Sequence, residues 1–169
     1  MNVMEAILTR RSIRKYTGVL VSKDEIRQVI KAGAHAPSAM NLQPWNFFVV
    51  TEHALLQQLS DSHPYAKMMP QAGCCIVVCA DKEKQSILGY AAEDCSAAIQ
   101  NMLLAAKSMG LGTVWCGVYP MQARVDSVHE LLQLPESIVP IGLVALGHPA
   151  EDRQIEDRYD EKKVHWNQW

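Results

Sequence analysis

A chain of 169 residues is long enough for one domain with a sizeable core, and 49% hydrophobic with 20% charged residues is an ordinary globular balance. No apolar run approaches the length of a membrane span, and a net charge of −2 gives no general attraction to nucleic acid or anionic membrane. The charge is uneven, however: Arg10, Arg11, Arg14 and Lys15 place four cations within six residues, and without them 12 cations face 18 acids. Such a cluster is either a local anion site or a solvated face.

Five cysteines (Cys74, Cys75, Cys79, Cys95, Cys116) form an odd set with no C-x-x-C pair. The opening MNVMEAILTRRS puts its cations after its apolar residues, the reverse of a secretion signal. The expectation is reduced, buried thiols in a cytoplasmic protein, without zinc, iron–sulfur or disulfide bonding.

In chain order, Val3 to Thr9 has helical spacing of Val3, Met4, Ile7 and Leu8. Ser22-Lys-Asp-Glu25 reads as a capping box opening a helix that buries Ile26, Val29 and Ile30 and ends near His35, because Pro37 disfavours helix at Ala36. A polar loop, PSAMNLQPWN, leads into a strand at Asn46–Thr51 and a short helix at His53–Ser60. Asp61 to Gly73 is loop with room for a helical turn, and Cys74–Ala80 is a buried strand. Gly89–Met109 is the strongest helix, its alanines on several faces implying close helix neighbours, and Gly110 and Gly112 end it. Strand Thr113–Val118, helix Gln122–Leu132 and strand Val139–Gly147 follow. The pattern is not regular βαβ, so the fold class is α+β, with helices around one mixed or largely antiparallel sheet.

A charged tail closes the chain and ends in Trp166 and Trp169. Indoles on a segment too short for its own core should dock, either on the same chain or across a partner.

The common catalytic signatures are missing. No G-x-x-x-x-G-K-[ST], G-x-S-x-G or H-E-x-x-H occurs, and Gly110-Leu-Gly112 precedes a strand rather than a helix, with Trp115 where a third glycine belongs. Two polar segments remain. Arg10-Arg-Ser-Ile-Arg14 has the guanidinium forks and hydroxyl that suit a phosphate monoester. Pro37-Ser-Ala-Met-Asn-Leu-Gln-Pro-Trp45 offers neutral donors and acceptors on a proline-stiffened loop, suited to the edge of a flat heterocycle or to a self-capping connector.

In this order the two segments resemble the nitroreductase family. The resemblance continues through EDCSAAIQNMLLAA, GLGTVWCGV, VALGHP and DRYDEKKVHW, and spans essentially the whole chain. It implies an α+β sandwich forming an intertwined homodimer, with FMN between subunits. Residues 1–169 would form one domain, with 148–169 as an arm around the partner. Arg10, Arg11 and Ser12 match phosphate and ribityl contacts, and Arg14 the cation beside the pyrimidine edge of the ring. Pro37, Ser38, Met40, Asn41 and Gln43 match the loop reaching the flavin from the other subunit. Trp115, Cys116 and Gly117 match the strand end beside the ring, contributing amides, and Arg158 matches a second phosphate arginine. Glu156 stands where the family often has lysine, which weakens that half of the clamp unless Lys162 or Lys163 compensates.

The implied activity is hydride transfer from NADH or NADPH, through flavin, to a nitroaromatic, quinone or activated enone. Tyr65, Met68 and Met69 are candidates for the entrance. Alternatives are dehalogenation or flavin breakdown on the same scaffold, a non-enzymatic flavin carrier, and a module without cofactor.

Overall fold

Cys74–Asp81 (β2) and Ile138–Gly147 (β4) are apolar at nearly every position, so neither can turn a face to water. The computed structural model, which describes all residues 1–169, places these two strands at the centre of a four-stranded sheet. Trp45–Val50 (β1) and Gly112–Gly117 (β3) form the edges, in the order β1-β2-β4-β3. All three pairings are antiparallel, which settles the sheet type that sequence left between mixed and antiparallel. Pro140 cannot donate to a ladder, and the β2–β4 register shifts between Val78 and Cys79, where Ile141 is the extra residue.

Five helices surround the sheet: Val3–Thr9 (α1), Lys23–Gly33 (α2), His53–Ser62 (α3), Leu88–Ser108 (α4) and Gln122–Leu131 (α5). The capping box forms as expected: Glu25 N donates to Ser22 Oγ (3.2 Å) and Ser22 N to Glu25 Oε2 (2.9 Å). α2 lies so close to α4 that a Cβ on Gly33 would sit 2.8 Å from Met102 Cγ. α4 buries Ala91, Ala98 and Ala106, and the chain leaves it through Gly110 in the left-handed region (φ +77°). The helical turn between Asp61 and Gly73 is a 3-10 turn at Met69–Gln71.

One contiguous core runs from Tyr16 to Leu146 and takes nothing from the last 22 residues. All five cysteines are buried free thiols. No helix is long and apolar enough to cross a membrane.

Two regions stand outside this core. α1 has the expected spacing, but Val3, Met4, Ile7 and Leu8 are exposed and only Ala6 is buried. The tail is largely extended, and Trp166 (79% exposed) and Trp169 (101%) do not dock on the core of their own chain, Trp169 stacking only on His165 within the tail.

Candidate functional site

The arginine segment is positioned by the edge of the sheet. Ser12 makes a parallel bridge to Thr113, and Ile13 N donates to Thr113 O (2.9 Å), so residues 10–14 run alongside β3. On its other side the segment meets the start of the tail. Thr17 N donates to His148 O (3.0 Å), and Ala150 N to Lys15 O (2.8 Å). Glu151 Oε1 accepts from Arg14 N (2.6 Å) and Lys15 N (3.2 Å). Those backbone bonds, first the one from Arg14, hold the Glu151 carboxyl below its usual range, and it also pairs with Arg153 (3.1 Å).

Neighbouring arginines in this segment have opposite fates. Arg11 is committed to backbone carbonyls: Nε to Gln154 O (3.1 Å), Nη2 to Glu156 O (3.1 Å), and Nη1 to Leu8 O (3.0 Å) and Arg10 O (2.8 Å). It staples the end of α1 to the tail rather than pointing free donors at a ligand. Arg10, half-buried, has no side-chain partner, and burial together with Arg158 and Arg11 lowers its pKa. The only ion pairs in the chain are Arg27–Asp24 and Arg153–Glu151, so Arg10, Arg14 and Arg158 are all unpaired.

Guanidiniums crowded together at a cost in desolvation make a site that an anion relieves. An open cavity of about 530 Å³ beside Arg14 and Arg158 is also lined by Arg11, Ser12 and Arg153 and by two acids, Asp152 and Glu156, with no hydrophobic residue; Arg10 meets Arg158 at a neighbouring cavity instead. Glu156 borders this cavity but pairs with neither Arg158 nor Arg10, so the lysine-to-glutamate departure leaves both cations free.

The loop at 37–43 is built differently. Met40 (φ +51°), Asn41 (φ +56°) and Gln43 (φ +49°) all occupy the left-handed region without being glycine. Strain of this kind persists where surroundings over-determine the backbone, and it clusters at ligand clamps. The surroundings here are Ser38 Oγ accepting from Gln43 N (3.0 Å), Asn41 Oδ1 accepting from Gln43 Nε2 (3.0 Å), and Asp94 Oδ1 accepting from Ala39 N (2.8 Å). Asp94 is buried on α4, and its Oδ2 has no partner. Met40 is 76% exposed, and Pro37, Asn41 and Gln43 are exposed too. None of the main cavities beside the arginines is lined by residues 37–43, so within one chain these cavities take up only the first of the two polar segments.

The end of β3 supplies the third part. Trp115 lies over Gly142, where an added Cβ would collide with the indole nitrogen. Cys116 is buried, burial raises its thiol pKa, and its Sγ donates to Tyr65 O (3.2 Å), so it is no nucleophile. Gly117 O accepts from His63 Nε2 (2.8 Å) and Arg124 Nη1 (3.0 Å). Of the expected entrance residues, Tyr65 and Met68 border a cavity at this strand end, whereas Met69 is wholly buried packing. Sequence reasoning missed Glu151, Asp94, His63 and Arg124. Glu151, Asp94 and His63 act through backbone groups more than 50 positions away, and Arg124 through one seven residues back; no local pattern marks any of them.

Comparison with known proteins gives a consistent result. The model of the Nitroreductase family matches residues 7–63 and 54–148. A protein from Methanothermobacter thermautotrophicus, provisionally named an NADH dehydrogenase/NAD(P)H nitroreductase, is 42% identical over 169 residues, covering 100% of this chain and 88% of that one. An NADPH-flavin oxidoreductase from Vibrio harveyi is 31% identical over 99% of this chain and 75% of its own. The crystal structure of a provisionally assigned nitroreductase in complex with FMN, from Desulfovibrio desulfuricans, superposes with a TM-score of 0.86 at 30% identity, covering 100% of this chain and 98% of that one.

Proposed function

The chain belongs to the nitroreductase family, and on that premise we propose that it is an FMN-dependent NAD(P)H oxidoreductase whose own arginines grip the flavin phosphate. The carrying observation is that Arg10 and Arg158, both unpaired, repel one another across a shared cavity, and that Arg158 also borders the open polar cavity lined by Ser12 and Arg14. A dianionic phosphate relieves their repulsion and takes up their free donors, so the residues present fit the group. Ser12, at the cavity wall, supplies a hydroxyl for the phosphate or the polyol chain.

Bound FMN would supply the redox chemistry, hydride transfer from NADH or NADPH to an acceptor. The protein's part is electrostatic and steric. Arg14, unpaired and exposed, would hold the pyrimidine edge of the ring and favour the negative charge that reduction places there. Trp115, Cys116 and Gly117 offer backbone to the ring from a strand end that His63 and Arg124 hold fixed. No side-chain nucleophile is required, which agrees with the elevated thiol pKa of Cys116. The acceptors are nitroaromatics, quinones or activated enones, stacked on the open face.

The working unit is a homodimer. The exposed apolar residues of α1 and the undocked indoles of the tail form the cover for a second copy. Pro37, Ser38, Met40, Asn41 and Gln43 then reach the flavin held by the partner's arginines, while residues 148–169 wrap the neighbour.

Purified protein should show flavin absorbance that NADH or NADPH bleaches anaerobically and a quinone or nitroaromatic restores. It should sediment at twice 18.9 kDa. Colourless protein that takes up no FMN on titration overturns the assignment, and a monomer that binds flavin fully overturns the shared site.

A further inference from the structure

One buried acid has no part in the clamp or the strand end. Asp94 lies on α4, 6% exposed, and neither of the chain's ion pairs involves it. Its carboxyl group makes a single hydrogen bond, Oδ1 accepting from Ala39 N (2.8 Å). Its Oδ2 is one of only two buried side-chain atoms in the chain without a partner, the other being Gln85 Nε2. Charged or protonated, such a group costs more to bury than one backbone hydrogen bond returns. An apolar side chain would serve the fold better at this point.

The place of that bond gives the residue its use. Residues 38–43 carry their shape with them: Asn41 N donates to Ser38 O (3.0 Å), Leu42 N to Ala39 O (3.1 Å) and Gln43 N to Ser38 Oγ (3.0 Å), all within the loop. Bonds of this kind move with the loop and do not fix where it sits. Pro37, Met40, Asn41 and Gln43 are exposed, so little packing holds it down. The Asp94–Ala39 bond is the only hydrogen bond from residues 37–43 to another element. It is made to α4, the helix that packs against all four strands, so it refers the loop directly to the core.

We propose that Asp94 is a positioning residue for the flavin site. Through Ala39 it sets where the loop stands over the flavin held by the partner, and it is kept there at a cost to the stability of its own chain. The proposal rests on the flavin assignment, because the loop has a position to hold only if it covers a ring.

The test separates holding flavin from holding the fold. In Asp94→Ala the dissociation constants of FMN and riboflavin should both rise about tenfold, the loss of one hydrogen bond that places the loop. The urea midpoint of the full chain should stay the same or rise, measured without flavin so that weaker binding does not itself lower it. Asp94→Asn, which keeps an acceptor oxygen for Ala39 N, should bind both flavins nearly as the wild type does. A mixed dimer of the Asp94→Ala chain with the Arg10→Ala, Arg158→Ala chain should regain one site of wild-type affinity, because one of its two flavins then meets an intact clamp and an intact loop.

Flavin affinity that Asp94→Ala leaves unchanged overturns the proposal, and so does a midpoint that falls along with the affinity, which would make Asp94 a support of the fold. Asp94→Asn binding as weakly as Asp94→Ala, or a mixed dimer without a restored site, overturns it equally. These failures are read against a wild type that binds flavin; wild-type protein that takes up none instead brings down the underlying assignment and this proposal with it.

Discussion

The two halves of the candidate site are both polar and both lie early in the chain, yet they are held by opposite means. Residues 10–14 are fixed by distant partners: Thr113 on β3, and Glu151, Gln154 and Glu156 in the tail. Residues 38–43 are fixed mainly by themselves, through Ser38 and Asn41, with Asp94 as the one distant tether. The first arrangement costs little backbone strain but depends on the tail lying in place. The second carries its strain locally, in three left-handed residues, and depends on little else. A clamp for a charged group and a rigid cover for a flat one are thus made from different kinds of structural energy.

The largest expected effect tests whether the first half is a clamp at all. Arg10→Ala with Arg158→Ala removes two unpaired guanidiniums, each worth roughly 1.5–3 kcal/mol against a charged partner. FMN affinity measured by fluorescence titration should fall at least about 100-fold, by that same estimate. Riboflavin, which lacks the phosphate, should bind almost as it does to the wild type. Equal losses for both flavins would mean that the arginines shape the fold rather than hold phosphate.

The adjacent residue gives the next largest effect, with the opposite signature. Arg11→Ala removes all the N–H···O=C bonds that join α1 to the tail. Unfolding stability should drop by about 2 kcal/mol, discounted for partial exposure. FMN and riboflavin should weaken together, because Arg158 loses its placement along with the tail. An unchanged denaturation midpoint would remove the distinction between the stapling arginine and the gripping one.

That distinction shows where sequence stops being informative. The capping box at Ser22 and Glu25, the alanine-rich α4 and the uninterrupted apolar run of β2 follow from local pattern, and their boundaries lie within a residue or two of expectation. Nothing in Arg10-Arg11 tells which guanidinium faces inward, because the answer is set by carbonyls more than 140 positions away. The antiparallel order β1-β2-β4-β3 depends equally on register across the sheet. The left-handed residues of the 37–43 loop carry no glycine to announce them, and Asp94 is one acid within a helix until its contact with Ala39 is seen.

A change of pH should sharpen the contrast on the side held by distant partners. Burial, with Arg124 and Lys67 nearby, lowers the pKa of His63 despite its bond to Gly117. The unfolded chain therefore takes up this proton near 6.5, before the folded chain does. Stability from neutral His63 is complete above that value and declines as pH falls below it, until the folded site also protonates. The Tm should drop between pH 7.5 and pH 5, and less steeply in His63→Gln; curves that stay parallel would show that His63 is not the titrating group.

The smallest effect probes the self-held loop. The Met40 side chain is mostly exposed, so Met40→Gly loses little packing while relieving a left-handed residue, worth about 1 kcal/mol. Glycine's extra freedom in the unfolded chain offsets about 0.5–1 kcal/mol of that gain. Net stability should therefore shift by less than about 0.5 kcal/mol on the same estimates, in chemical denaturation. Flavin affinity should nonetheless fall, for FMN and riboflavin alike, because a loop free to leave the left-handed region no longer presents Asn41 and Gln43 in one geometry. That pattern, affinity lost without stability lost, is what a preorganised cover requires. A variant that loses more than about 1 kcal/mol of stability would mean that the loop is a packed connector, held like the arginine segment after all.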